Sequence, residues 1–374
     1  MSKKTPCCEN TDNRIGTVGG QAVLEGVMMK AGNRIALSVR KVDGDIITDV
    51  DEMTPPGTKC KILKWPLVRG IVNFITMMQL SMKTLNKSVE MLGIEEEEPS
   101  KFEIWLDKHF GKSLVSIASV IGTILGLALA VFLFMFLPTV TSTAIFGQVQ
   151  EELGMRILKS VFSGVFRIAI FLAYIGLVAL IPDIKRTFQY HGAEHKSVFC
   201  HEKYLELNVE NVKKQSRFHP RCGTSFLVVM MILGIFTNLF FVNTPVVVQT
   251  CLKLATLPLV VSLGYEFIRF AGRHDNVFIR ILSAPGLWIQ RLTTKEPTDE
   301  QIEVAILSLK AALPETYPEI EDILAEQKAR EQAKQEEATE EAAEEVTEQS
   351  TEKANAEVAE QATETQENIG EEKE

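Results

Sequence analysis

The apolar positions change rhythm along the chain, and each change marks a different kind of element. From Gly19 the period is two. Arg34-Ile-Ala-Leu-Ser-Val-Arg40 alternates, Asp43-Gly44 supplies a turn, and Asp45-Ile-Ile-Thr-Asp-Val50 follows. Two β-rich runs around Asp-Gly predict a hairpin. The preceding Gly19–Met29 run predicts one further strand that pairs with it. Its glycines fit turns or bulges, the commoner use of a strand glycine, or close backbone approach to a partner or ligand. The period then becomes helical. Leu67, Ile71, Phe74, Ile75, Met78, Met82 and Leu85 share one face of a helix over 67–92. Its most apolar part, between Arg69 and Lys83, is too short to cross a bilayer, which places it at the membrane interface or against the spans.

Four long apolar stretches come next, over 113–137, 160–181, 224–242 and 246–264. A helix of about 20 residues crosses a ~30 Å hydrocarbon core, so each predicts a transmembrane helix. Only Asn243-Thr244-Pro245 joins the last two, which makes them a helical hairpin. Ser283–Arg291 is half apolar and predicts a return to the membrane surface. Thr298-Asp-Glu-Gln301 has the spacing of a capping box and opens a helix to about Leu313, with Ile302, Val304, Ala305 and Leu309 on its buried side. Residues 1–18 and the stretch from about Ala325 lack apolar anchors and predict disorder. The expected fold class is therefore a mainly α membrane protein. It has four transmembrane helices, a small α+β N-terminal domain over 19–93, a linker over 94–112, a helical region over 265–320 and an acidic disordered tail over 321–374.

Charge changes this picture by giving it an orientation. The net charge is −10, but residues 321–374 carry 19 acidic and 5 basic side chains, so the body is mildly basic. That balance suits an anionic leaflet, and possible anionic headgroup contacts, better than nucleic acid. The connection 182–223 holds Lys185, Arg186, Lys196, Lys203, Lys213, Lys214, Arg217 and Arg221, whereas 243–245 holds no basic residue. The excess of positive charge predicts that both termini and the 182–223 segment are cytoplasmic. Six scattered cysteines show no disulfide framework, and the N-terminus lacks the apolar run of a signal peptide.

The candidate chemistry lies in that cytoplasmic segment. His191 and His195, at i and i+4, project from one face of a helix, and Glu194 stands beside them. His-x-x-Glu-His is the arrangement of the inverted zinc peptidases, in which the imidazoles bind zinc and the carboxylate is a general base. His219 and Cys222 form a second pair, held by Pro220 and Gly223. The four together would make a closed structural site. Two or three with an oxygen ligand would leave an open, catalytic one, which Glu194 favours. Glu266, at the end of the fourth stretch, is a candidate third ligand that could instead pair with Arg269 or Arg273, and Asp183 is a fainter one. A polar loop whose histidines satisfy backbone groups is the bland alternative. Arg217, Arg221, Arg269 and Arg273 fit either a phosphate site or simple positive-inside anchoring.

Four strings carry a family resemblance: Gly19-Gly-Gln-Ala-Val-Leu-Glu-Gly-Val-Met-Met29, Pro66-Leu-Val-Arg-Gly70, Phe188-Gln-Tyr-His-Gly-Ala-Glu-His-Lys196 and His219-Pro-Arg-Cys-Gly-Thr-Ser-Phe226. On these the chain resembles the bacterial YqhQ-like family of uncharacterised integral membrane proteins over about residues 16–315. The resemblance implies membrane residence and a suspected metal-dependent enzyme without an established reaction. The residues thus lead to two expectations. One is a zinc hydrolase acting on a peptide or lipid bond at the bilayer surface, with Glu194 as base. The other is a non-enzymatic scaffold or assembly factor with a structural metal. A metal transporter fits less well, because the apolar stretches are poor in acidic residues and histidines.

Overall fold

A computed structural model describes residues 14–54, 65–93, 113–147, 152–271 and 277–334. The predicted N-terminal and C-terminal disorder, except 14–18 and 321–334, and the 94–112 linker lie outside these residues. So do His109, His274 and Arg273.

The N-terminal part is an antiparallel meander of β1 (Val18–Val23), β2 (Gly26–Ala31), β3 (Arg34–Arg40) and β4 (Ile46–Glu52), in that order. The predicted β3–β4 hairpin is there. The run expected to be one strand is itself a hairpin, because Leu24-Glu25 turns the chain and pairs Val23 with Gly26. Glu25 takes a left-handed φ of 49°. No Asn-Gly or Asp-Gly marks this turn. A charge fixes it instead, since Arg186 and the Tyr190 hydroxyl both donate to the Glu25 carboxylate.

Helix α1 (Pro66–Leu92) covers one face of the sheet, where Leu80 and Leu92 join Met28, Ile35, Leu37 and Val39 in one core cluster. Its earlier turns lie against the apolar bundle: Arg69 forms a two-point ion pair with Glu266, and the Asn73 amide donates to the Tyr265 hydroxyl at 2.7 Å. Packing against the apolar helices, one of the two predicted settings, is thus realised by the earlier turns, whereas the sheet that the later turns cover was not an expected partner.

The bundle begins with α2 (Ser113–Val131), a wider π-helical turn over Phe132–Phe136, and α3 (Leu137–Phe146). The first apolar stretch was expected to end before Pro138. The proline instead enters at the start of α3, directly after the wider turn, and the helix runs on to Phe146. Helix α4 (Leu153–Val178) likewise starts before the expected 160. Arg156 and Lys159, which precede the expected start, lie inside it and donate to the Leu239 and Gly147 carbonyls. Those carbonyls end other helices and have no partner within them. After α5 (Pro182–Glu202) and the short α6 (Val209–Lys213), α7 (Gly223–Phe241) and α8 (Val246–Ala271) form the expected hairpin. Among the described residues three helical stretches are long and apolar enough to cross a membrane: Ile121–Phe146, Leu153–Val178 and Val246–Phe267. The apolar part of α7, Phe226–Phe241, is shorter.

Helix α9 (Val277–Thr293) is continuous through Pro285, where a short surface segment was expected. Helix α10 (Asp299–Ala312) opens with the predicted Thr298/Gln301 capping box and buries Ile302, Val304, Ala305 and Leu309. It packs on the second face of the sheet, where the Ser308 hydroxyl donates to the Ala36 carbonyl at 3.0 Å. Residues 320–334 are helical rather than disordered and belong to a second compact unit starting at Pro318.

Candidate metal centre

Helix α5 is the least apolar of the long helices, yet its second half, from Tyr190 to Glu202, is largely buried. Thr187, His191, Glu194, His195 and Val198 fall on one helical face and line a cavity of about 840 Å³. The opposite wall is β1 and the turn before it. Cys222, at the start of α7, and Met77 of α1 close the cavity further.

Both imidazoles are held by backbone carbonyls. His191 Nδ1 lies 2.9 Å from the Thr293 carbonyl, and His195 Nδ1 lies 2.6 Å from that of Arg217. A carbonyl only accepts, so each Nδ1 carries the proton and donates it. Each Nε2 keeps its lone pair, which is the tautomer a metal ligand needs. The rings sit 4.4 Å apart between centroids, and Cys222 Sγ lies 3.4 Å from His191 Nε2. The ligand atoms of His191, His195 and Cys222 all lie within 4.8 Å of one another. Each of the three offers one ligand atom, and two imidazole nitrogens with one sulfur are a donor set that could hold a metal ion.

Glu194 stands beside this trio, with Oε2 3.5 Å from His195 Nε2 and 4.0 Å from His191 Nε2. It is 6% exposed. Burial pushes its carboxyl above the usual range, against the pull of His191, His219 and an N–H donated by Gly20. The strand pairing explains that donor. Val23 and Gly26 flank the two-residue turn, so alternate β1 residues back to Gly20 turn their amides away from β2. A Cβ at Gly20 would lie 2.6 Å from Glu194 Cγ and 2.9 Å from Oε1. Close approach, the less common reading of these strand glycines, is therefore the one realised at Gly20.

His219 borders the cavity but stands apart from the trio. Its ring centroid is 5.7 Å from that of His195. Its Nδ1 accepts the Arg221 N–H at 3.3 Å, and its Nε2 faces Glu202 Oε2 at 3.3 Å. Gln290 grips its backbone from both sides, at 2.8 Å each. Glu202 also takes the Gly16 amide at 2.9 Å and the Arg221 guanidinium. Burial pushes the Glu202 carboxyl up, but donors from His219, Gly16 and Arg221 outweigh it and bring it down to about 2. Glu266 belongs to the α1–α8 contact, where it is hydrogen-bonded to Arg69 and Arg269 adds only a smaller charge effect. Asp183 sits in the first turn of α5, outside the cavity lining. Arg217 donates to the Thr294 carbonyl and faces Glu296, and Arg221 pairs with Glu202.

Sequence reasoning missed the carbonyls of Thr293 and Arg217 and the role of Gln290. A backbone acceptor has no residue signature, so no motif could have shown the first two. Gly20 did carry a signal, as a glycine inside a strand.

The family model described as a protein of unknown function (DUF1385) matches residues 65–315. An uncharacterised protein of Bacillus subtilis (strain 168), YqhQ, is 35% identical over 300 residues, which covers 79% of this chain and 92% of that protein. No solved structure gives a significant match.

Proposed function

The chain belongs to the DUF1385 family, and from that premise we propose that it is a multi-pass membrane protein of the bacterial cell membrane with a zinc site at the cytoplasmic surface, acting as a metal-dependent hydrolase. Four apolar helices support the membrane reading, with α7 the short fourth member of its hairpin. The basic residues of 182–223 support cytoplasmic termini.

One observation carries the metal reading: two carbonyls hold His191 and His195 in the ligand tautomer, with both Nε2 atoms turned toward Cys222 Sγ. Bound there, zinc would supply a Lewis acid that polarises a carbonyl and brings the pKa of water near neutrality. The residues around it have separate tasks. Glu194 is the proton acceptor, and its burial helps it keep the proton it takes. The Gly20 amide anchors its carboxylate at the Oε1 side while Oε2 faces the imidazoles. Because β1 is an edge strand whose backbone lines the cavity, an extended peptide suits the space better than a lipid ester.

Elemental analysis of the detergent-purified full chain tests this reading. About one zinc per chain is expected, with loss in His191→Ala and in His195→Ala. Glu194→Gln should keep zinc and fold while abolishing peptide hydrolysis. A folded wild type without metal would sink the proposal. A second reading rests on Cys222 joining the start of α7 to α5, as a structural clamp would. A scaffold of that kind would keep its function in Glu194→Gln.

A further inference from the structure

The bundle contains a second cavity, and its charges have no explanation in the metal centre. Among the described residues the apolar parts of the spanning helices hold four basic side chains, Arg156, Lys159, Arg167 and Lys253. The one carboxylate there, Glu266, is already paired with Arg69. Arg156 and Lys159 are accounted for by the helix-terminal carbonyls they reach. Arg167 and Lys253 are not. Both line a cavity of about 290 Å³ whose other walls include Phe134, Phe171, Leu227 and Leu257. Lys253 is buried, and among the described residues its ammonium donates to the Thr139 hydroxyl alone, at 2.7 Å. Arg167 Nε is buried with no hydrogen-bond partner among the described residues. Arg167 lies eleven residues before the end of α4, about 16 Å along the axis. It therefore lies inside the apolar stretch Leu153–Val178 rather than at its end.

Ionised side chains at that depth are costly, and where they occur they mark a ligand or ion pathway. Two cations facing one cavity also repel each other, and among the described residues no carboxylate lines it to offset this. An anion supplies what is missing. The walls decide its kind. A small hydrated anion would have to shed water into aromatic and aliphatic surroundings, whereas an amphiphile brings its own apolar surface. We propose that this cavity binds an anionic lipid, with its phosphate between the Arg167 guanidinium and the Lys253 ammonium and its chains along the Phe134, Phe171 and Leu257 wall. This site is independent of the zinc reading.

The full chain, delipidated in a neutral detergent, is titrated with mixed micelles containing phosphatidylglycerol or phosphatidylcholine, and separately with inorganic phosphate, while the thermal unfolding midpoint is followed. Phosphatidylglycerol should raise the midpoint, phosphatidylcholine should do so far less, and inorganic phosphate should have no effect. Arg167→Gln and Lys253→Met should each lose the selective rise. Equal protection by both lipids, protection by phosphate alone, or a rise unchanged in both variants would overturn the proposal. Should either variant fail to fold, native mass spectrometry of the wild type decides. One retained anionic lipid per chain supports the site, and only zwitterionic lipid or none refutes it.

Discussion

Gly20 shows how much a missing side chain can do. Its amide reaches Glu194 because no Cβ stands between strand and helix. In Gly20→Ala the new carbon would also meet the Met28 carbonyl at 2.9 Å, so the backbone has to shift along with the carboxylate. Overpacking of this kind costs about 1–3 kcal/mol. Gly19 has nothing within 4 Å of the equivalent position, which makes Gly19→Ala a matched comparison. Thermal unfolding should show a clear drop for Gly20→Ala and little change for Gly19→Ala. Hydrolysis, if Glu194 is the base, should fall with the first and persist with the second. Equal effects of the two would separate Glu194 from β1.

Among the elements, the contact between α1 and the bundle is the joint between the sheet and the apolar helices. Gly70 lies against Ser262 so closely that a Cβ would come within 2.7 Å of the Ser262 Cα, which is backbone and cannot rotate away. The Arg69–Glu266 and Asn73–Tyr265 links flank that crossing. Gly70→Val should therefore separate the two helices and lower the unfolding midpoint, by about 1–3 kcal/mol of stability. An unchanged midpoint would show that the crossing is looser than this. How far such joints were readable in the sequence differs from case to case. The α10 capping box and its buried face were readable because both signals are local. The His191/His195/Cys222 trio was readable because helical spacing and a turn motif bring chemistry-bearing residues together. The β1–β2 hairpin was hidden because its turn is fixed by Arg186 and Tyr190, about 160 residues away. The extension of the first apolar helix past Pro138 was hidden because a wider turn, rather than a break, precedes the proline. Glu266 was weighed against nearby arginines when its partner lay 197 residues earlier.

For the molecule as a whole, Glu202 is a convergence point, since it receives donors from the turn before β1, from His219 and from Arg221. Its carboxyl is lowered from 4.5 to about 2 in the folded chain. A depressed carboxylate contributes stability that is complete above its unfolded value and disappears as pH falls through its folded one. The window is therefore between about pH 5 and pH 2, and the contribution at neutral pH is up to about 3 kcal/mol. Unfolding midpoints followed from pH 7 down to pH 3 should fall steadily in the wild type below pH 5, and Glu202→Gln should start lower and fall less. Parallel curves would remove Glu202 from this role. The grip of Gln290 on His219, with the Thr293 carbonyl on His191, has a consequence for biosynthesis. The histidines leave the ribosome long before α9 does, so until residue 293 has emerged they lack the acceptor that sets the His191 tautomer. The order of synthesis itself leaves the arrangement around His191 and His219 unfinished until the last helix of the bundle is in place, and a nascent chain stalled at any earlier point lacks it.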